Sequence, residues 1–237
     1  MRSRIPLSGI RGAAQLMGRQ LRVASGSART DELSMLICQE VDRIAALIDS
    51  MQGFTRDQTA SQTALNIYPA IKQARDIATI GVAHEIRVVE KFDPSLPEVT
   101  GNHDALVQVL LNLIANAAQA MDGAPGTITL STTFRHGVGW DLGDGAGRKS
   151  LPVEITVADD GPGVPPALLD SLFEPFISGR RDGQGLGLAL VDKLMRDMGG
   201  LIRHERRAGS TRFILNLALA AHGAATPRTD DGRRADA

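Results

Sequence analysis

Three short stretches combine amides, carboxylates and glycines at spacings that suit a bound nucleotide. In "LLNLIANAAQAM", Asn112 and Asn116 stand one helical turn apart, so both carboxamides project from the same face. A hard Mg2+ ion takes oxygen ligands and keeps several waters, so one side-chain carbonyl together with phosphate oxygens suffices for it. Hydrogen bonding near a helix end is the plainer use of either amide alone. In "VADDGPGVP", Asp159 or Asp160 emerges at the end of a β-branched strand, where a carboxylate can accept an adenine amino group. Gly161 and Gly163 let the backbone approach a flat ligand closely, although Asp-Gly and Gly-Pro are also ordinary turn pairs. In "GQGLGL", Gly183, Gly185 and Gly187 lie just before or at the start of a helix that Leu188 continues. The free N–H groups and dipole of such a helix end favour phosphate. The spacing is neither G-x-G-x-x-G after an early strand nor G-x-x-x-x-G-K-[ST], which excludes the Rossmann and P-loop readings.

These residues need a scaffold, and the apolar pattern supplies one. Leu7, Ile10, Ala14, Met17 and Leu21 recur in steps of three and four, as do Leu33, Ile37, Val41, Ile44, Ile48 and Met51. Residues 1–53 therefore read as a helical hairpin that pairs with a second copy into a four-helix bundle, because two helices cannot bury two apolar seams alone. Residues 54–64 lack periodicity and read as a linker. A second domain is expected over 65–219: a helix in "PAIKQARDIATI", a strand in "IRVVEKF", a prolyl turn, and a long amphipathic helix from Asn102 to Met121. Strands "GTITLSTTF" and "PVEITVAD" flank a Gly-rich excursion. A short helix "ALLDSLF", an irregular "EPFISGRRDGQG", a helix "LGLALVDKLMRDMGG" and strands "LIRHERR" and "TRFILNLAL" follow. Helices gathered on one side of a mixed sheet make this an α+β fold, and residues 220–237 read as a disordered tail.

Composition narrows the function classes. The 26 basic residues nearly cancel the 27 acidic ones, which disfavours a nucleic-acid partner. The single cysteine, Cys38, excludes an internal disulfide framework and a Cys-rich zinc site. Apolar runs are broken by polar residues at helical spacing, so no membrane span is expected, and the chain reads as cytoplasmic.

Taken in order, the long helix, the strand-turn and the glycine loop resemble the ATP-binding domain of the gyrase, Hsp90, histidine kinase and MutL superfamily, known from its Bergerat fold. The resemblance implies that Asn116 holds Mg2+ with Asn112 beside it, and that Asp159 binds the adenine amino group. Gly161 and Gly163 would shape the base pocket, Gly183, Gly185 and Gly187 would close over the phosphates with Leu188, and Thr211 in "GSTRF" would support the adenine pocket. "LFEPFISGRRDG" resembles the F-box and short lid of histidine kinases, with Phe173 and Phe176 as its aromatics and Ser178, Arg180 and Arg181 in the lid. Arginine there can meet phosphate through charge-assisted bonds. Over roughly Arg4 to Leu219, "PLSGIRGAAQLM", "FDPSLPEV" and the motifs above are similar to the NtrB-like nitrogen-regulation sensor kinases. That resemblance implies ATP and Mg2+ as cofactors, a homodimer formed through the hairpin, an NtrC-type response regulator and PII protein as partners, and no contact with nucleic acid or membrane.

One feature departs from that family. Its first helix carries His-Glu-x-x-Asn-Pro ahead of "LSGIRGAAQ"; laid on Pro6, this puts Met1 at the acceptor histidine, Arg2 at the acid and Ile5 at the asparagine. A thioether cannot accept phosphate as imidazole does, so no catalytic acceptor is assigned. His84, His103, His136, His204 and His222 all lie outside the hairpin. The expected activity is thus the ATP-binding half of a histidine kinase, with autophosphorylation requiring a partner chain. A non-catalytic module for dimerisation or regulator binding is the alternative.

Overall fold

In the computed structural model the described residues are Met35, Ile37, Cys38 and Val41, all helical, and the stretches 62–81, 86–141, 148–179 and 184–221. Apart from those four helical residues, the expected dimerisation hairpin, with most of the linker and the tail beyond 221, lies outside the described residues.

Local chemistry defines the elements. A short strand β1 (Thr63–Leu65) leads to Asn66, whose side chain accepts the N–H of Tyr68 and caps helix α1 (Ile67–Ile80). Strand β2 (Arg87–Lys91) follows, then β3 (Val99–Gly101), which pairs antiparallel with β1. Asn102 next accepts the N–H of Ala105 at 2.9 Å, and Asp104 places a negative charge in the first turn of helix α2 (His103–Ala120). Strand β4 (Thr127–Phe134) and the fully buried β7 (Val153–Asp159) are the expected pair. Between them the Gly-rich excursion forms a ribbon of β5 (Gly139–Asp141) and β6 (Arg148–Ser150), which sequence patterning did not resolve.

The segment "ALLDSLF" corrects an expectation. Instead of an α-helix it makes a 3₁₀ turn, Pro166–Leu168, followed by further tight turns. The N–H groups of Leu169, Ser171 and Glu174 each reach back three residues, to Pro166, Leu168 and Ser171. Helix α3 (Gly187–Asp197) and strands β8 (Leu201–Arg207) and β9 (Ser210–Leu217) end the domain.

The main sheet runs β2-β4-β7-β9-β8, with β2 parallel to β4 and every other neighbouring pair antiparallel. One face carries Ile128, Leu130, Ile155, Val157, Phe213 and Leu215, which join the apolar sides of α1, α2 and α3 in a single core. The expected α+β class with a mixed sheet is therefore the observed one. Burial of Leu106, Leu110, Leu113 and Ile114 on α2 locks that helix against the sheet. The half-buried Asn112 and Asn116 are left at its margin. No described helix is long and apolar enough to cross a membrane.

Candidate functional site

The end of β7 separates two neighbouring aspartates. Asp159 is the register partner of Thr211 on β9 and of Ile128 on β4, which turns it to the helix-covered face, where only 4% of it is exposed. Asp160 faces elsewhere: its Oδ1 accepts the N–H of Thr127 at 2.8 Å and secures the start of β4. The choice between the two carboxylates is thus made by strand parity.

Asp159 is held by donors from two directions. The N–H of Gly161 donates to its Oδ1 at 3.0 Å, and the Thr211 hydroxyl donates to the same carboxylate. Burial pushes the Asp159 carboxyl above the ordinary carboxylate range. The bonds from Gly161 and Thr211 pull against that rise, the charge of Asp160 adds to it, and the guanidinium of Arg206 opposes it. Ser210 also donates to the Asp159 backbone carbonyl, at 2.9 Å.

A cleft of about 610 Å³ opens from Asp159 between α2, the turn after β7 and the start of α3. Its far end is made where α3 begins. Gly187 is the first helical residue, and Leu186 before it provides no side-chain cap. A Cβ on Gly187 would stand 3.6 Å from Asn112 Oδ1 and 3.8 Å from both Oδ1 and Nδ2 of Asn116, so both carboxamides face this helix end. The Asn112 amide nitrogen donates to the Gln108 carbonyl at 3.0 Å, which leaves its oxygen toward Gly187. A helix N-terminus beside amide oxygens suits an anion with an accompanying hard cation. Among the described residues no group of three or more His, Cys, Asp or Glu could hold a metal ion. A cation here would therefore complete its shell with phosphate oxygens and water, and the oxygen donors present fit Mg2+ in that form.

Of the residues singled out from sequence, Asn112, Asn116, Asp159, Gly163, Gly185, Gly187, Leu188 and Thr211 all line the cleft. Gly161 serves through its N–H to Asp159. Phe173 packs on the core, whereas the side chain of Phe176 is 74% exposed and its backbone, at φ +67°, meets Gly185. Ser178 lines the cleft, and Arg180, Arg181 and Gly183 lie outside the described residues. Sequence reasoning missed the apolar wall of Val164, Leu168, Leu172, Leu186 and Phe213. Phe213 carried a signal: it sits two residues beyond Thr211 on one strand and so shares its face.

Comparisons with known proteins bear on the family and the fold. A sequence profile of the family described as "Histidine kinase-, DNA gyrase B-, and HSP90-like ATPase" matches residues 101–221. The sensory histidine kinase/phosphatase NtrB of Azospirillum brasilense is 44% identical over 214 residues, covering 90% of this chain and 52% of that protein. NtrB of Rhodobacter capsulatus is 40% identical over 215 residues, covering 91% of this chain and 59% of its own. The chain thus spans little more than half the length of these relatives. Among solved structures, full-length ShkA in complex with AMPPNP is similar at TM-score 0.65 and 25% identity, over 92% of this chain and 44% of that one. The catalytic domain of histidine kinase ThkA is similar at TM-score 0.53 and 25% identity, over 67% of this chain and 95% of that one.

Proposed function

Because the chain belongs to the ATPase family that histidine kinases share with DNA gyrase B and HSP90, with an NtrB-like ATP-binding domain, we propose that its cleft holds Mg·ATP for phosphoryl transfer to histidine. The observation that carries this reading is the polarity of the cleft. A buried carboxylate braced by Thr211 lies at one end, and an uncapped helix start facing two carboxamides lies at the other.

In this reading Asp159 accepts the adenine amino group while Thr211 and Gly161 hold the carboxylate in place. Gly163 and the wall of Val164 and Phe213 flank the base. Gly185, Gly187 and Leu188 present backbone N–H groups to the phosphates, joined by Arg180 and Gly183 from the lid. Asn116 is the metal ligand, with Asn112 next to it. Bound Mg2+ would neutralise phosphate charge, and the protein's own part is mainly to fix the γ-phosphate in line with an acceptor and shield it from water.

Residues 1–53 contain no histidine, so the acceptor in this reading lies outside these 237 residues. We place the chain in a dimer formed through its hairpin, with an NtrC-type response regulator as the final phosphate acceptor and PII protein as a modulator, in the cytoplasm. The domain assignment is hairpin 1–53, linker 54–64 and catalytic domain 65–219.

The test is a mixed reaction. The chain is combined with a full-length NtrB-type kinase whose own ATP site is disabled, and phosphohistidine on the partner is followed with labelled ATP. Label on the partner supports the proposal. Normal Mg·ATP binding without label transfers the case to the non-catalytic dimerisation and regulator-binding module, and absence of Mg·ATP binding overturns the nucleotide reading itself.

A further inference from the structure

Three residues stand in a row across neighbouring strands of the sheet. Asp159 on β7 is the register partner of Thr211 on β9, and Thr211 is the register partner of Arg206 on β8. Their side chains therefore share one face of the sheet, and Asp159 and Thr211 line the cleft.

The row is also a directed hydrogen-bond chain. Arginine has donors and no acceptor. Nη1 of Arg206 donates to Thr211 Oγ1 at 3.2 Å, which occupies the hydroxyl oxygen as acceptor. The Thr211 proton is then committed outward, and the carboxylate of Asp159 receives it. The same Arg206 Nη1 lies only 1.7 Å from where a Cβ on Gly163 would stand. Gly163, at φ +89°, thus takes the guanidinium directly against its backbone, and no side chain can replace that contact. One side chain outside the cleft lining consequently braces both walls of the base end, the strand row and the turn after β7.

We propose that Arg206 is a positioning residue for the nucleobase: through Thr211 it orients the hydroxyl proton toward Asp159, and through Gly163 it sets the turn that faces the base. This rests on the reading of Asp159 as the adenine acceptor. Arg206 itself touches no cleft volume, and sequence motifs gave no reason to single it out.

The surroundings of Asp159 make the mechanism measurable. Arg206 is the cation acting on it, and Asp160 is the opposing anion. His204, one step along the same face of β8, packs tilted against Phe213 at 5.3 Å, and burial, with the charge of Arg206, lowers its pKa. Burial already raises the Asp159 carboxyl. Removal of Arg206 raises it further, so the fall in adenine affinity on acidification begins at a higher pH.

The test is Mg·ATP affinity by calorimetry between pH 5 and 8 for the full chain, Arg206→Met, Arg206→Lys, Asp159→Asn and the Arg206→Met/Asp159→Asn double variant. Arg206 is exposed on one side, so a loss of about two- to tenfold at neutral pH is expected for R206M. The acid limb should move to higher pH in R206M and return toward the parent in R206K, and R206M should have no pH-dependent effect in the D159N background. A loss uniform across pH, a parent-like R206M, or an equal pH shift in the D159N background overturns the proposal. If the parent binds no Mg·ATP, or D159N binds it as tightly as the parent, the adenine-acceptor reading fails and takes this proposal with it.

Discussion

The backbone N–H of Phe176 donates to the carbonyl of Gly185 at 2.9 Å, beside the cleft that Gly185 lines. Gly185 has φ +65°, and a Cβ there would come within 2.5 Å of the Phe176 carbonyl carbon and the Ile177 nitrogen. Both backbone conformation and space therefore demand glycine at this junction. Gly185→Ala is expected to strain this junction by about 1–3 kcal/mol. It should weaken Mg·ATP binding by about tenfold or more, since a 1.4 kcal/mol loss is already tenfold. Thermal unfolding and nucleotide titration of the same sample separate the two effects.

Asp159 should oppose stability while serving binding. Burial raises its pKa in the folded state, so the unfolded chain ionises first as pH rises. Stability associated with this group is therefore greatest below the ordinary carboxylate pKa and is lost as pH rises through the raised folded value. Asp159→Asn keeps the volume and cannot ionise. Its melting temperature without nucleotide is expected to exceed that of the parent by a margin that widens from pH 4 to pH 7.5. Its Mg·ATP affinity is expected to fall about 10- to 100-fold, the scale of one hydrogen bond to a charged group. A parent-like affinity would remove Asp159 from the base site.

Its neighbour should behave in the opposite way. Asp160 secures Thr127 at the start of β4 and is directed away from the cleft. Asp160→Ala is expected to cost about 0.5–1.5 kcal/mol in denaturant unfolding. Nucleotide affinity should stay within about twofold, because no ligand contact is lost. A large affinity loss with intact stability would reverse the assignment of the two carboxylates.

The two amides divide along metal dependence. Asn116→Ala is expected to abolish most of the gain that Mg2+ brings to ATP affinity, by about tenfold or more on the scale of changes around metal sites. Binding measured without Mg2+ should change little. Asn112→Ala removes a bond to its own helix at Gln108 and should preserve the Mg2+ dependence. Titrations with and without the metal on both variants provide the comparison.

Much of the scaffold was legible because periodicity and capping are local. The amphipathic run from 102 to 121 closely matches α2, and Asn102 is its cap as residue type suggested. The same holds for α3 and for the long strands of the sheet. "ALLDSLF" misled because an apolar run does not distinguish α from 3₁₀ bonding, and two prolines at its start favour tight turns. β1 and β3 were missed because strands of three residues are too short to show an alternation.

By itself the sequence determined which chemical groups were present and which lay on one helical face: Asn112 with Asn116, and glycines wherever backbone had to come close. Those are matters of residue type and of spacing along a single element. Residue type and spacing left Asp159 and Asp160 equivalent, the family resemblance named Asp159, and only the tertiary structure supplied the physical reason that Asp159 enters the cleft. The seven residues of β7 are all buried, so burial does not alternate along the strand, and register with Thr211 makes the choice. Only the tertiary structure, too, brought Arg206 onto Gly163, 43 residues away in numbering, and Gly185 onto the backbone of Phe176. Contacts between elements depend on how sheet and helices pack, and no local pattern in the chain encodes them.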